Sequence, residues 1–344
     1  MFDPLEILLE MEAEITDNMT RLLAKGALPS AEWQAAKLAE VGAFRADNIA
    51  TVEKYLREVR AGLLDYYTAI GTGAVMEAGI PGLSSVLPAG VSATLARVWS
   101  IWEMQTMNQL RNLGMTLIDG AQETYINIVY KSAAKMLMGS TTTREAIAET
   151  AAGWLDNGLP GLVDKGGKTW SVEGYAQVVL RSNETQVAKA SQDAAFDEFD
   201  IDLVEISSHL GARERCAPYQ GKVYSRSGRS SKFPALSSTS IGEAAGLFGC
   251  NCGHVQYAYN PAVGKTYHPY NAKENAESYA DSQEQRRLER RIRAAKRKLS
   301  AGGIDPGGKI EKRAQKQLAD AQADMREFIA DSGRTRRRDR EQSY

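Results

Sequence analysis

The sequence predicts a mainly α protein with a small α+β module: an N-terminal helical region, a central module bearing the cysteines and histidines, and basic C-terminal helices. Three observations predict this class. Apolar residues recur at helical spacing through most of the first 200 positions. After Asp200 the pattern shortens into brief alternating runs broken by Gly, Ser and Pro. From about residue 272 helical spacing returns in a segment dense in Arg and Lys.

Each element has a local reason. Asp3-Pro4-Leu5-Glu6 is a helix start, with Asp at N-cap, Pro at the first helical position and Glu at N3. Leu5, Leu8, Leu9, Ile15, Met19, Leu22 and Leu23 then fall near one face, and Gly26 and Pro29 close the helix. Ser30 opens a second helix expected to run to about Leu64. Residues 66–96 differ: Glu77 is the only charge between Asp65 and Arg97, and Pro81, Pro88 and five glycines make continuous helix improbable. This segment is expected to be an apolar loop with short helices, buried against the bundle or a partner; the sharper alternative is contact with a bilayer or a protein channel. Helices are expected again over 92–118 and 120–138, and Thr142-Thr143-Arg144-Glu145 caps another that ends near Trp154. Gly158, Pro160, Gly161, Gly166 and Gly167 read as a linker, and a long helix follows over about 172–198. Strands are expected at Asp202–Ser207, Lys222–Ser225 and Val255–Tyr259. Gly302–Gly308 breaks the C-terminal helices, the last spans about 309–331, and the Arg-rich end is expected to fray.

The chain has 344 residues, 43% hydrophobic and 25% charged, which excludes collagenous and disordered classes. At about 150 residues per domain this allows about two domains. The organisation read here is a helical assembly region at 1–165, an α+β module at 166–270 and a basic helical tail at 271–344. No uninterrupted apolar run reaches the roughly 18 residues of a spanning helix. The acidic opening MFDPLEILLEMEAE lacks the basic start of a secretory signal. Three cysteines cannot form a disulfide framework, so a reducing compartment is expected. The near-neutral total hides an asymmetry: residues 1–200 carry 16 basic and 26 acidic side chains, residues 201–344 carry 26 and 17. The two ends are therefore expected to meet different partners.

All three cysteines and all three histidines lie between His209 and His268. Thiolate and imidazole are the ligands zinc prefers, four of them close a structural site, and a small irregular β module gains from such a clamp. Cys216, Cys250, Cys252 and His254 are the candidate ligands, with His209 as the alternate. The plainer alternative is that the thiols pack as small apolar groups while the imidazoles make ordinary hydrogen bonds. A nucleophilic pair of Cys216 with His209 or His254 lacks an orienting third residue or an oxyanion motif. Ser238-Thr239-Ser240 resembles an ADP-ribosyltransferase motif, but no E-x-E follows it. Catalysis is not expected.

The segment RRLERRIRAAKRK carries Arg286, Arg287, Arg290, Arg291, Arg293, Lys296, Arg297 and Lys298, with one apolar stripe at Leu288, Ile292, Ala295 and Leu299. That pattern suits a helix packed on one side and facing polyanion on the others, without base specificity. The alternative is a solvated helix with internal pairs such as Glu284–Arg287 and Glu289–Arg293.

Residues Tyr175–Tyr270 resemble the type 2 phage minor capsid proteins and, more distantly, the Mu F-like minor head proteins. The likeness rests on Arg181-Ser182-Asn183, on His209, Gly211, Ala212, Arg213, Cys216, Tyr219, Gln220, Gly221, Lys222 and Val223, and on the closing Gly249, Asn251, Cys252, Gly253 and His254. It continues into the tail through Gln283, Gln285, Arg286, Leu288, Glu289, Arg290, Ile292 and Arg293. Gly253 departs from the Arg usual in that block. The resemblance implies a structural virion protein: a minor head component on the portal, inside the capsid and beside packaged double-stranded DNA, made in the host cytoplasm and aiding head assembly, packaging or ejection. Portal protein, capsid proteins and copies of itself are the implied partners. Two other readings are a phage-delivered enzyme or toxin using Cys216, Arg213 or His254, and a non-specific DNA-binding protein.

Overall fold

A computed structural model describes residues 2–25, 30–83, 87, 89–138, 141–155, 158–167 and 169–342. The helices are α1 (Pro4–Ala24), α2 (Ser30–Ala39), α3 (Val41–Met76), α4 (Ala89–Leu137), α5 (Thr143–Leu155), α6 (Val172–Glu198), α7 (Ala272–Gly302) and α8 (Lys309–Ser332). The strands are β1 (Pro160–Val163), β2 (Thr169–Ser171), β3 (Leu203–Ile206), β4 (Val223–Ser225) and β5 (Gln256–Ala258). The expected class, mainly α with a small α+β module, is what the fold shows. No helix among the described residues is long and apolar enough to cross a membrane.

The chain forms two compact units, each assembled from separated segments. One comprises residues 1–2, 60–109 and 177–283; the other comprises 3–59, 110–176 and 284–344.

In the first unit, an antiparallel sheet of order β4-β3-β5 pairs Val204 with Tyr224 and with Ala258. All three strands lie where the sequence places them. Val204 and Ile206 of β3 are fully buried, as are Tyr67, Leu95, Val187 and Phe196 of the helices. A buried polar knot joins three helices: Thr106 Oγ1 lies 2.7 Å from Tyr67 Oη, and Asn183 Nδ2 donates to Thr106 Oγ1 at 2.7 Å and to Gln109 Oε1 at 2.8 Å. Burial pushes the Tyr67 hydroxyl up to about 12.

In the second unit, Asp3 caps α1 by accepting from the Leu5 and Glu6 amides. Leu8, Met11, Ile15, Met19 and Leu23 form its fully buried stripe. Phe44 stacks on Tyr125 with ring centroids 4.9 Å apart. Thr142 Oγ1 accepts from the Glu145 amide at 3.1 Å, as the capping pattern predicts, while the Glu145 carboxylate pairs with Lys309 at 3.0 Å. The predicted α7 stripe packs on α8, where Leu288 and Ile292 join Ala321 and Met325.

Four expectations change. The second helix is two helices, α2 and α3, separated at Glu40. The apolar loop expected at 66–96 shrinks, because α3 continues to Met76 and α4 starts at Ala89; Pro88, like Gly26 and Pro29, lies outside the described residues. Likewise 92–138 is a single helix, not two. The cause is packing: a Cβ on Gly71 would collide with Trp99 Nε1, and one on Gly120 would collide with Pro160 Cγ. These glycines are notches that admit a neighbour, not breaks, and the packing outweighs their helix cost of about 1 kcal/mol. Third, the glycine-rich linker contains a hairpin in which β1 and β2 pair antiparallel, with Leu162 opposite Trp170. Pro160 sits at the first residue of its strand, where no ladder donor is needed. Fourth, the Arg-rich end folds back on α7. Arg336 makes a two-point pair with Glu341 at 2.6 Å, Gln285 donates to Thr335 O at 3.0 Å, and Arg293 donates to Arg340 O. Carboxylates and carbonyls within hydrogen-bond reach of these guanidinium groups explain why the segment is ordered.

Candidate functional site

The cysteine–histidine cluster lies in the first unit, built from the β3–β4 connection and the loop before β5. Its frame is backbone pairing beyond the strands. Ser207 N donates to Val255 O and Val255 N donates to Ser207 Oγ, both at 2.9 Å, which sets residues 209 and 254 side by side. His209 N donates to the buried Gln220 Oε1 at 2.7 Å. Asn275 of α7 holds the Gly211–Ala212 turn through two bonds, Ala212 N to its Oδ1 at 2.9 Å and its Nδ2 to Ala212 O at 2.7 Å. The second loop coils tightly: Phe248 and Asn251 have φ of 59° and 56°, a costly conformation for Phe. Gln186 and Thr185 of α6 hold that loop by donating to Phe248 O at 2.5 Å and to Cys252 O at 3.0 Å.

The result brings Cys216, Cys252 and His254 together, all buried, with their ligand-type atoms within 4.8 Å of one another. Cys216 Sγ lies 3.9 Å from Cys252 Sγ, and Cys252 Sγ lies 3.4 Å from His254 Nδ1. His209 stacks at a tilt on His254, ring centroids 4.4 Å apart. Cys250 is exposed and stands outside the group, and His268 is exposed as well. The thiol of Cys216 and the imidazole of His254 pull Cys252 toward the thiolate, against burial. The same thiol pair and burial push Cys216 up. Burial first, then His254, lowers His209. Ser238, Thr239 and Ser240 cap turns: their hydroxyls donate to Ala235 O, Leu236 O and Arg215 O.

The basic positions of α7 lie in the second unit and divide by burial. Arg286, Arg287, Arg290 and Arg291 are exposed, Lys296, Arg297 and Lys298 are half-buried, and Arg293 is buried. Arg287 pairs with Glu284 at 2.5 Å and Arg291 with Asp324 at 2.6 Å. Arg287, Arg290, Arg291 and Arg297 line an open groove together with Lys131 and Lys135 of α4.

Arg293 belongs to an ionic cluster that sequence reasoning missed. Its guanidinium grips Glu173 at 2.8 and 2.5 Å. Beside it, Glu12 accepts from the Leu159 amide at 2.9 Å, and burial pushes its carboxyl up to about 7 against the pull of Arg297. The available signal was a charge on an apolar face: Glu12 follows Met11 on the stripe that continues to Ile15.

Residues 4–330 match the family described as phage minor capsid protein 2. The chain belongs to that family. A structural protein of Lactococcus phage LL-H is 26% identical over 331 residues, covering 91% of this chain and 89% of the relative. No solved structure matches the chain. This minor capsid protein is thus a structural phage protein, a virion component that works among other capsid components. The family match reaches well beyond the resemblance at Tyr175–Tyr270 and its continuation to Arg293, and includes segments of both compact units. Among the resemblance residues, Asn183 is the hinge of the buried polar knot, Gln220 holds His209, and Cys216, Cys252 and His254 form the cluster.

Proposed function

We propose that this minor capsid protein sits at the portal inside the head, where its N-terminal helical region docks on the portal ring or on copies of itself and its basic helix faces packaged DNA during assembly, packaging or ejection. The observation that carries the DNA contact is the run of exposed guanidinium groups at Arg286, Arg287, Arg290 and Arg291, the last three of which line a groove with Lys131 and Lys135. Four acidic residues, Asp119, Glu123, Glu149 and Glu173, share that groove, so its net charge is modest and suits transient contact with phosphate. The portal assignment is supported by the family's place among minor capsid proteins. In this reading the Cys/His cluster is architectural: Cys216 contacts Gly246 O and Cys252, both in the module interior, and needs no substrate to be placed.

Co-sedimentation with portal rings tests the portal assignment. With rings in excess the full chain is expected to sediment with them, and a chain that stays at the top of the gradient would contradict docking.

A further inference from the structure

We propose that the thiol–imidazole cluster is a structural zinc site of the Cys2His2 type, with Cys216, Cys252 and His254 as its preformed ligands and His209, not Cys250, as the fourth. Tetrahedral zinc with Zn–S of about 2.3 Å and Zn–N of about 2.05 Å sets ligand–ligand edges of about 3.8 Å between two sulfurs and about 3.6 Å between sulfur and nitrogen. The observed Cys216 Sγ–Cys252 Sγ separation is 3.9 Å, and Cys252 Sγ–His254 Nδ1 is 3.4 Å. Two of the three ligand–ligand edges thus already match a zinc tetrahedron, and all three ligand residues are buried with their atoms within 4.8 Å of one another.

The fourth corner follows from unmet hydrogen-bonding capacity. His209 Nδ1 faces the Leu210 carbonyl at 3.4 Å, so it carries the proton, and Nε2 is left with a lone pair. That Nε2 is buried without a partner, as is His254 Nε2. Buried polar atoms are normally satisfied, and here the missing partner for the His209 lone pair is a cation. His209 Nε2 lies outside the 4.8 Å group; its ring stacks on His254 with centroids 4.4 Å apart, and a rotation of that ring against its 3.4 Å bond to Leu210 O would bring Nε2 in. Cys250 cannot take the place: its side chain is exposed, and its loop is fixed by the Cys250 N to Ala244 O bond at 2.8 Å.

The ion would tie the β3–β4 connection to the lead into β5. The sheet it joins has strands of only three or four residues. A metal adds its binding free energy to the folding of such a small module.

The test uses the full chain, purified under reducing conditions from zinc-supplemented cells. It should carry one zinc per chain. Cobalt exchanged into it should give the visible bands of a tetrahedral centre and a thiolate-to-cobalt charge-transfer band. Cys250→Ser should keep both. Cys252→Ser and His254→Ala should lose the metal, and His209→Ala should weaken zinc affinity at least about tenfold. Chelation should lower the melting temperature of the wild-type chain and of Cys250→Ser. If Cys252→Ser does not fold, wild-type stoichiometry and the cobalt spectrum decide alone. A wild-type chain without stoichiometric metal and without the charge-transfer band would overturn the site. Unchanged affinity in His209→Ala, or metal loss in Cys250→Ser, would overturn the ligand set. None of these readouts depends on portal or DNA binding.

Discussion

Arg293 and Glu173 form a buried two-point ion pair, Nε to Oε2 at 2.8 Å and Nη2 to Oε1 at 2.5 Å, with side chains only 8% and 11% exposed. An arginine from the most basic stretch of the chain is thereby committed to the interior. Its removal takes the two-point partner from a largely buried carboxylate and leaves Arg297 at 4.0 Å, so Arg293→Met is expected to cost about 3 kcal/mol. The double change Arg293→Met with Glu173→Met removes both charges and should recover more than half of that loss. Thermal melts of the three variants measure this; equal destabilisation in single and double variants would show that the pair does not act as a unit.

Glu12 makes stability depend on pH. Its folded pKa, about 7, lies above its ordinary 4.5, so between these values the folded state holds the extra proton. Stability contributed by protonated Glu12 is present below about pH 4.5 and is lost as pH rises toward 7, amounting to about 3 kcal/mol. Glu12→Gln keeps an oxygen acceptor for the Leu159 amide without the charge. It should be close to neutral at pH 4.5 and stabilising at pH 8, as judged by urea unfolding at the two values. A gain of the same size at both would refute the assignment.

Two glycines in α3 should respond oppositely to alanine. A Cβ at Gly73 meets nothing within 4 Å, so Gly73→Ala should stabilise by up to about 1 kcal/mol through helix propensity. At Gly71 the same Cβ would collide with Trp99 Nε1 and Ser191 Oγ, which are joined by a 3.0 Å hydrogen bond. Gly71→Ala should therefore destabilise by about 1–3 kcal/mol. Melting temperatures moving in the same direction would show that Gly71 is not a packing notch.

Binding to DNA should be salt-dependent and carried by the exposed part of α7. Changing both Arg286 and Arg290 to Ala should lower the slope of log K against log salt by about 2, one for each phosphate that a guanidinium no longer neutralises. Arg293→Lys, at a buried position, should leave that slope unchanged. A wild-type affinity indifferent to salt would remove DNA from the account.

Much of this architecture was legible because local chemistry decides it. Asp3 and Thr142 cap helices through bonds within three residues of themselves, and the α7 stripe states its own packing face. The Cys/His cluster was legible because those residues are few and crowded together. Its membership was only partly so. In Cys250-Asn251-Cys252 the spacing does not say which thiol points inward; the left-handed turns at Phe248 and Asn251 shape that loop, and Cys250 ends up in solvent. Helix continuity through Gly71 and Gly120 was hidden because the partners that fill those notches, Trp99 and Pro160, are distant in sequence. The division of α7 into exposed and buried arginines was hidden for the same reason: Glu173 lies 120 residues away from Arg293.

The central claim is that this chain is a structural part of the head, placed at the portal. Asymmetric cryo-electron reconstruction of purified virions, paired with quantitative mass spectrometry of the same particles, tests it most directly. The account predicts the chain in intact particles, with its density confined to the inner side of the portal vertex. Particles that lack the chain, or density spread evenly over the icosahedral shell, would contradict it.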